Sequence, residues 1–335
     1  MVTLKDVANE AGVSDRTVSR VVHNDRRVDP KTRARVTEAI ERLGYIPNRA
    51  ALMMRNNRSG IIGVMTDVVA STPYSTDIIR GIQAEIEATG YSMLTVNTGG
   101  DAKQVSKCWR ELKGHRVDGV IYVTMFQRVL NDWELDPTVR TVLVNCHKPK
   151  GAETPSVLPN EVTGMDEAVN AAVAGGHRNF GYVRLNPLVM AAGLRETALR
   201  NALARHGQNL RDDWCVQGAE GPIFNDRFTA YDTSLELLGR PDRPTILFCG
   251  NDQIALQVFS AAYSLGLRIP DDLSIVGFDD FWVITKVIRP SLTTVALPYF
   301  EMGKTAVVTL LSMIGGGQVP KVVSIPSHFV ERQTL

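Results

Sequence analysis

Residues 3–22 read TLKDVANEAGVSDRTVSRVV, and the character of the N-terminal part turns on them. Thr3 suits a helix N-cap, with Asp6 three residues on in a capping-box position. Leu4, Val7, Ala8 and Ala11 then fall at i, i+3, i+4 and i+7, one apolar face of a short helix. Gly12 ends it. Val13 and Ser14 make a tight turn, and Ser14 caps a second helix that carries Val18, Val21 and Val22 inward. Asp15, Arg16, Thr17, Ser19 and Arg20 are left to face outward. Further on, Asp29-Pro30 pairs a capping carboxylate with proline at the first helical position. It starts a third helix that buries Val36, Ile40 and Leu43 and stops at Gly44. Two helices joined by a short glycine-containing turn describe a helix-turn-helix, whose second helix enters the major groove of DNA. The competing account is a small helical bundle with ordinary solvated arginines.

Charge favours the first account. Residues 1–58 hold 12 Lys/Arg and 7 Asp/Glu, a net of +5, whereas the other 277 residues hold 25 and 29, a net of −4. A basic segment on a near-neutral chain is the asymmetry of a nucleic-acid-binding head. The full 335 residues suffice for two or three domains, and a hydrophobic share of 44% places the chain among ordinary globular proteins. Cys108, Cys146, Cys215 and Cys249 are far apart without a CxxC pair, so reduced buried thiols are expected rather than disulfides or zinc. No apolar run is long enough for a signal peptide or a membrane span, and a cytosolic protein is expected.

After Gly44 come Tyr45-Ile46-Pro47-Asn48-Arg49 and the apolar Ala50–Met54, too short for a core helix and too apolar for a free linker. One account is a strand into the next domain. The other is a segment that becomes helical only on DNA and pushes an apolar wedge into the minor groove. With TLKDVANEAGVSDRTVSRVV, then VDPKTR at 28–33, then GYIPNRAA at 44–51, the chain resembles the lactose/galactose repressor (LacI/GalR) family of bacterial transcriptional regulators. The resemblance implies a DNA-contacting set of Thr3, Ser14, Asp15, Arg16, Thr17, Ser19, Arg20, His23, Arg33, Asn48, Arg49 and Met54. Met54 stands where a leucine usually inserts between central base pairs. The implied organisation is a head at 1–45, a hinge at 46–58 and a core at 59–335.

The core alternates strand and helix. Apolar runs at 60–66, 91–96, 117–123 and 141–146 are separated by amphipathic stretches Asp77–Thr89, Ala102–Gly114 and a weaker Leu130–Leu135. A second series has strands at 180–184, 214–217, 245–250 and 274–278, with helices near Met190–Arg205, Thr229–Leu238 and Asp252–Leu265. Continuous apolar strands between helices indicate parallel sheets covered on both faces. The expected fold is therefore α/β: a three-helix head and hinge, then two doubly wound lobes. The lobes resemble periplasmic sugar-binding proteins, and by that likeness the chain crosses between them near 160 and 290.

Ligands in such sheets bind beyond the carboxyl ends of the strands. Residues just after strands are thus the effector-site candidates: Asp67, Tyr74, Asn145, His147, Asn251 and Asp279, with Tyr299 and with Arg195 from the RETAL motif at 195–199. The resemblance gives Arg195 effector hydroxyls or carboxylates to bind, gives Asn251 and Asp279 hydrogen bonds from the second lobe, and makes Tyr74 an aromatic against the ligand. Ala198 and Leu199 replace the glycine and aromatic usual in that motif. Each candidate has a plainer account: an Asp after a strand often caps the next helix, Asn251 can do the same, and His147 can be an ordinary hydrogen-bonded residue.

Together these features imply a sequence-specific DNA-binding regulator, a repressor of a carbohydrate operon, controlled by a sugar or sugar-derived effector in the inter-lobe cleft. A pseudo-palindromic double-stranded operator and a homodimer follow from two-fold symmetry. Tetramers of the resembled family add a C-terminal heptad helix, and since this chain ends in the runs at 322–326 and 328–332 the resemblance implies a dimer. No cofactor and no metal are expected. A stand-alone sugar-binding protein or a sugar-active enzyme is the alternative. The enzyme reading is weakened by the absence of GxSxG, GxxxxGK[ST], GxGxxG and HExxH patterns, and by Asp279 and Asp280 being adjacent and so pointing apart.

Overall fold

In the computed structural model, which describes residues 2–22, 25, 27–45, 58–73, 75–149 and 153–335, the chain divides into two compact units, Met1–Ser59 and Gly60–Leu335. In the first, the Thr3 hydroxyl accepts the Asp6 amide at 3.3 Å while the Asp6 carboxylate accepts the Thr3 amide at 2.8 Å, closing a capping box on α1 (Leu4–Ala11). Gly12 takes the left-handed conformation (φ 61°) that ends α1. Ser14 accepts the Thr17 amide at 3.2 Å and starts α2 (Asp15–Val22). Asp29 caps α3 (Pro30–Leu43), and Gly44, again left-handed, ends it. The three helices enclose Val7, Ala8, Ala11, Val18, Val21, Val36 and Ala39. Ile40 and Leu43, expected inside, lie half-buried at the edge of this core, and Ala39 takes the inner place. His23, Asn48, Arg49, Met54 and Tyr74 fall outside the described residues, as does the hinge except Arg58.

The second unit holds two sheets. The first runs β13-β5-β4-β3-β1-β2, all parallel, built from β1 (Ile61–Thr66), β2 (Ser92–Asn97), β3 (Gly119–Val129), β4 (Thr141–His147), β5 (Ser156–Asn160) and β13 (Val322–Pro326). The second runs β14-β12-β11-β10-β6-β7. It uses β6 (Phe180–Arg184), β7 (Cys215–Gln217), β10 (Ile246–Cys249), β11 (Ser274–Asp279), β12 (Thr293–Ala296) and the antiparallel edge β14 (His328–Val330). A small hairpin, β8 (Ala219–Glu220) with β9 (Arg227–Phe228), stands apart.

Both faces of each sheet are covered, which is why the strands read as unbroken apolar runs. Ile62, Val64, Ile121 and Val123 pack on the side of α4 (Thr76–Glu87) and α11 (Tyr299–Ile314). Met65, Tyr122 and Leu143 pack on α5 (Ala102–Gly114). In the second lobe α6 (Glu161–Ala174) and α7 (Met190–Arg205) cover one face, α8 (Ala230–Leu238) and α9 (Asp252–Ser264) the other. All four cysteines are buried free thiols.

The chain passes between lobes from β5 to α6, from β12 to α11 and from β13 to β14. Ser327 stitches two of these passages together: its hydroxyl donates to the Asn160 carbonyl at 2.7 Å and accepts the Gly164 amide at 3.1 Å. Leu130–Leu135 is not a helix. It is a single tight turn, Asp132–Glu134, because Glu134 accepts from the Asn131 amide and from Arg128 and so closes the segment on itself. β5, α6, α11 and the hairpin are elements that periodicity alone did not reveal. α6 and α11 are apolar most of the way round, so their patterns carry little contrast between faces.

Candidate functional site

Two surfaces carry chemistry. On the head, Asp15 and Arg16 are exposed at the start of α2, while Thr17, Ser19 and Arg20 are half-buried along it. Arg20 lies 3.9 Å from Asp25, which a forked Arg27 also holds, and the Arg27 hydrogen bonds keep the Asp25 carboxyl well below the usual carboxylate range. The Arg33 guanidinium donates to the Asp25 carbonyl, so Asp25 gathers the turn before α3. Thr3 and Ser14 place their side-chain oxygens in caps. Arg16 is thus the arginine of α2 whose guanidinium stands fully outward.

The second surface is a cavity of about 370 Å³ between the lobes of the core. One wall comes from the first lobe: Thr72, Ser75, Met125, Gln127 and Asn145. Asn145 sits in the register break between β3 and β4. Its amide nitrogen donates to the carbonyls of Thr124 and Met125 at 3.1 and 2.9 Å. The side-chain amide oxygen of Gln127, Oε1, is buried and has no hydrogen-bond partner. The other wall is charged: Glu161 at the start of α6, Arg195 on α7, and Asp279 at the end of β11.

Arg195 is only 5% exposed and is held from four directions. Its Nε and Nη2 reach the two Glu161 oxygens at 3.2 and 3.3 Å, Nη2 reaches Asp279 at 3.0 Å, Nη1 donates to the Gly250 carbonyl, and the guanidinium lies 3.9 Å from the Phe278 ring centroid. Burial alone would lower its pKa, but the charges of Glu161 and Asp279 outweigh that and raise it. Burial pushes Asp279 up to about 6 against the pull of Arg195.

Ser75, Asn145, Phe224 and Asp279, all lining residues, have positive φ without being glycine. Such backbone is retained where surrounding structure enforces it, and it clusters at ligand sites.

The structure brings Arg195, Asn145, Asn251, Asp279 and Tyr299 into this cavity, and leaves two candidates out. The Asp67 carboxylate accepts the Val68, Val69 and Met125 amides and so fastens the turn after β1. The His147 ring bonds the Lys148 carbonyl. Asn251 does both jobs open to it, capping α9 through the Ile254 amide at 2.9 Å while lining the cavity. Asp279 and Asp280 do point apart: Asp280 binds the Thr285 hydroxyl and Arg332. Glu161, Gln127, Phe126, Phe224 and Asp226 also line the site and were not anticipated. Glu161 follows a strand as the others do, but β5 is short and contains Pro159, which obscures it.

Residues 3–48 match the family model of bacterial regulatory proteins of the lacI family, and residues 169–335 match a periplasmic binding protein-like domain. The sucrose operon repressor of Escherichia coli is 32% identical over 327 residues, covering 96% of this chain and 97% of that protein. The chain belongs to the lacI family. The ribose operon repressor of Escherichia coli K12 is 33% identical over 318 residues, covering 94% of this chain and 93% of that protein. Among solved structures, a LacI-family transcriptional regulator from Rhizobium etli superimposes with TM-score 0.78 at 38% identity, covering 83% of this chain and 99% of that one. The lac repressor dimer bound to operator and the anti-inducer ONPF gives 0.76 at 27% identity over 99% of this chain and 98% of its own. Membership makes this chain a DNA-binding transcriptional regulator with a helix-turn-helix head. Among the described residues no helix is long and apolar enough to cross a membrane, and no cluster of His, Cys, Asp and Glu could hold a metal ion.

Proposed function

We propose that the protein represses a carbohydrate-utilisation operon as a homodimer on a pseudo-palindromic operator, and that a small polyhydroxylated effector in the inter-lobe cavity sets its DNA affinity. The observation that carries this reading is the cavity itself: opposed polar walls from two lobes, with Arg195, Asp279 and Asn251 on one side and Asn145 and Gln127 on the other. Adjacent hydroxyls of a sugar suit such forks and paired acceptors. A ligand that touches both walls favours one spacing of the lobes over another, and a population shift of this kind needs only that differential contact. The sucrose and ribose repressors among its relatives support a sugar as the effector class. Asp15, Arg16 and Arg20 are the proposed base readers, since arginine can fork onto guanine and aspartate can accept from cytosine. No catalytic role, cofactor or metal belongs to this reading.

Thermal-shift and calorimetric screening of the full chain against neutral and derivatised sugars tests it. Ligands should raise the melting temperature of the wild type and leave Asp279→Asn unmoved. A ligand that binds Asp279→Asn as tightly as the wild type would place the effector elsewhere.

A further inference from the structure

The charge in the cavity does not balance, and the imbalance says what the ligand carries. Among the described residues that line it, Glu161, Asp226 and Asp279 are carboxylates and Arg195 is the one cation. Nor is Arg195 open to an incoming anion. Four of its five N–H directions are drawn by Glu161, Asp279 and the Gly250 carbonyl, and Phe278 covers a face of the guanidinium. A carboxylate or phosphate entering here would have to displace a buried carboxylate from Arg195 and leave it unpaired, which is costly. The uncommitted groups lean the same way. The side-chain amide oxygen of Gln127, Oε1, is buried without a donor. Asn145 has spent its amide hydrogens on Thr124 and Met125 and presents its oxygen. Asp279 has one oxygen on Arg195 and the other available. The site is a surplus of acceptors and of negative charge, so it wants donors and a positive charge.

We propose that this cavity takes a hydroxylated ligand bearing an ammonium group, an amino sugar or amino polyol, and rejects sugar acids and sugar phosphates. The inference rests on reading the cavity as the effector site. The ammonium would sit between Asp279 and Asp226, with the hydroxyls donating to Gln127 and Asn145.

Calorimetry on the full chain with matched triples decides it: glucose, glucosamine and glucuronate, then the galactose and mannose sets, at a pH where the amine is protonated. In a triple that binds, the amine should be about tenfold tighter than its neutral parent and the acid about tenfold weaker, as expected for a unit charge a few ångströms from the surplus carboxylates. Glu161→Gln and Asp226→Asn should each shrink the amine-to-acid ratio. Asp226 is half-buried on the hairpin, so its variant keeps the test open if Glu161→Gln does not fold. A neutral sugar or an acid that binds more tightly than its amine overturns the inference and leaves the effector site standing, as does an unchanged ratio in a folded variant. No heat from any triple overturns the effector reading, and this inference with it.

Discussion

The head and the cleft offer polar groups to a partner in opposite ways. On the head, Asp15 and Arg16 stand in solvent on α2, and the apolar core beneath them is built by other residues, Val18 and Val21. In the cleft, Arg195 and Glu161 are almost wholly buried and bind each other. On the proposed reading, partner binding and folding are therefore separable on the head and joined in the cleft. A solvated arginine can be removed with little structural consequence, whereas half of a buried pair cannot.

Substitutions that break one region and not the other make the difference measurable. Arg195→Ala has the largest expected effect. It strands Glu161 in a buried setting and takes the cation from half-buried Asp279, and the expected loss of core stability is about 3–5 kcal/mol, together with loss of ligand response. Chemical denaturation of the full chain followed by a core probe checks it, and a loss below about 1 kcal/mol would show that water replaces the guanidinium without penalty. Thr3→Ala comes next. It removes half of the capping box on α1 and should lower the stability of the head by about 1 kcal/mol while leaving the core transition in place.

Arg16→Ala should change stability by no more than about 0.5 kcal/mol. Its effect belongs to recognition, where one good bidentate contact gives about 1–3 kcal/mol of discrimination per base pair. Selection from random-sequence duplexes should show relaxed preference at one or two positions per half-site. Arg33→Ala should lower affinity more evenly across sequences, since Arg33 packs against Asp25 at the edge of the head. An unchanged selected sequence for Arg16→Ala would transfer the reading role to Arg20 or Asp15.

The smallest effect is in pH. Asp279 is raised to about 6 in the folded protein from an ordinary value of 3.8, so the fold takes up its proton before the unfolded chain does. That group's contribution to core stability therefore grows as pH falls through about 6 and is lost as pH rises above it. Arg195 and Glu161 act on this carboxyl, and it acts in turn on Tyr299 and Asp252, so the informative quantity is wild type minus Asp279→Asn. The stability of the wild type relative to the variant should rise as pH falls from about 7.5 to 5.5. A flat difference would mean that Asp279 titrates near its ordinary value.

How much of this was legible from residues alone follows the same division. The head was readable almost throughout, because caps, glycine stops and apolar spacing are local signals that Thr3, Ser14, Asp29, Gly12 and Gly44 obey. Arg195, Asn251 and Asp279 were readable because each belongs to a motif tied to a strongly apolar strand or a clear helix. The rest of the cleft was not. Asp67 stands just past β1 and His147 at the end of β4, close to Asn145, yet their side chains turn back onto nearby backbone groups, and strand position does not say which way a side chain turns. Glu161 was hidden behind a short strand, and Gln127 by β3 running on past Val123 to Val129. Glu161 enters the cavity at a chain crossing and Gln127 from the end of an unusually long strand, and neither placement leaves a local pattern.

The central claim, that a ligand held by the charged wall of the cleft governs DNA binding by the head, has one direct measurement. Take the duplex selected from random sequence and the sugar derivative that gives the largest calorimetric response. Then compare DNA affinity with and without that ligand in the wild type and in Asp279→Asn. The account predicts a change of about tenfold or more in the wild type, a coupling of roughly 1–3 kcal/mol, and no change in the variant, with equal unliganded affinities. Wild-type DNA affinity indifferent to a ligand that occupies the cleft, or a full response retained by Asp279→Asn, would contradict it.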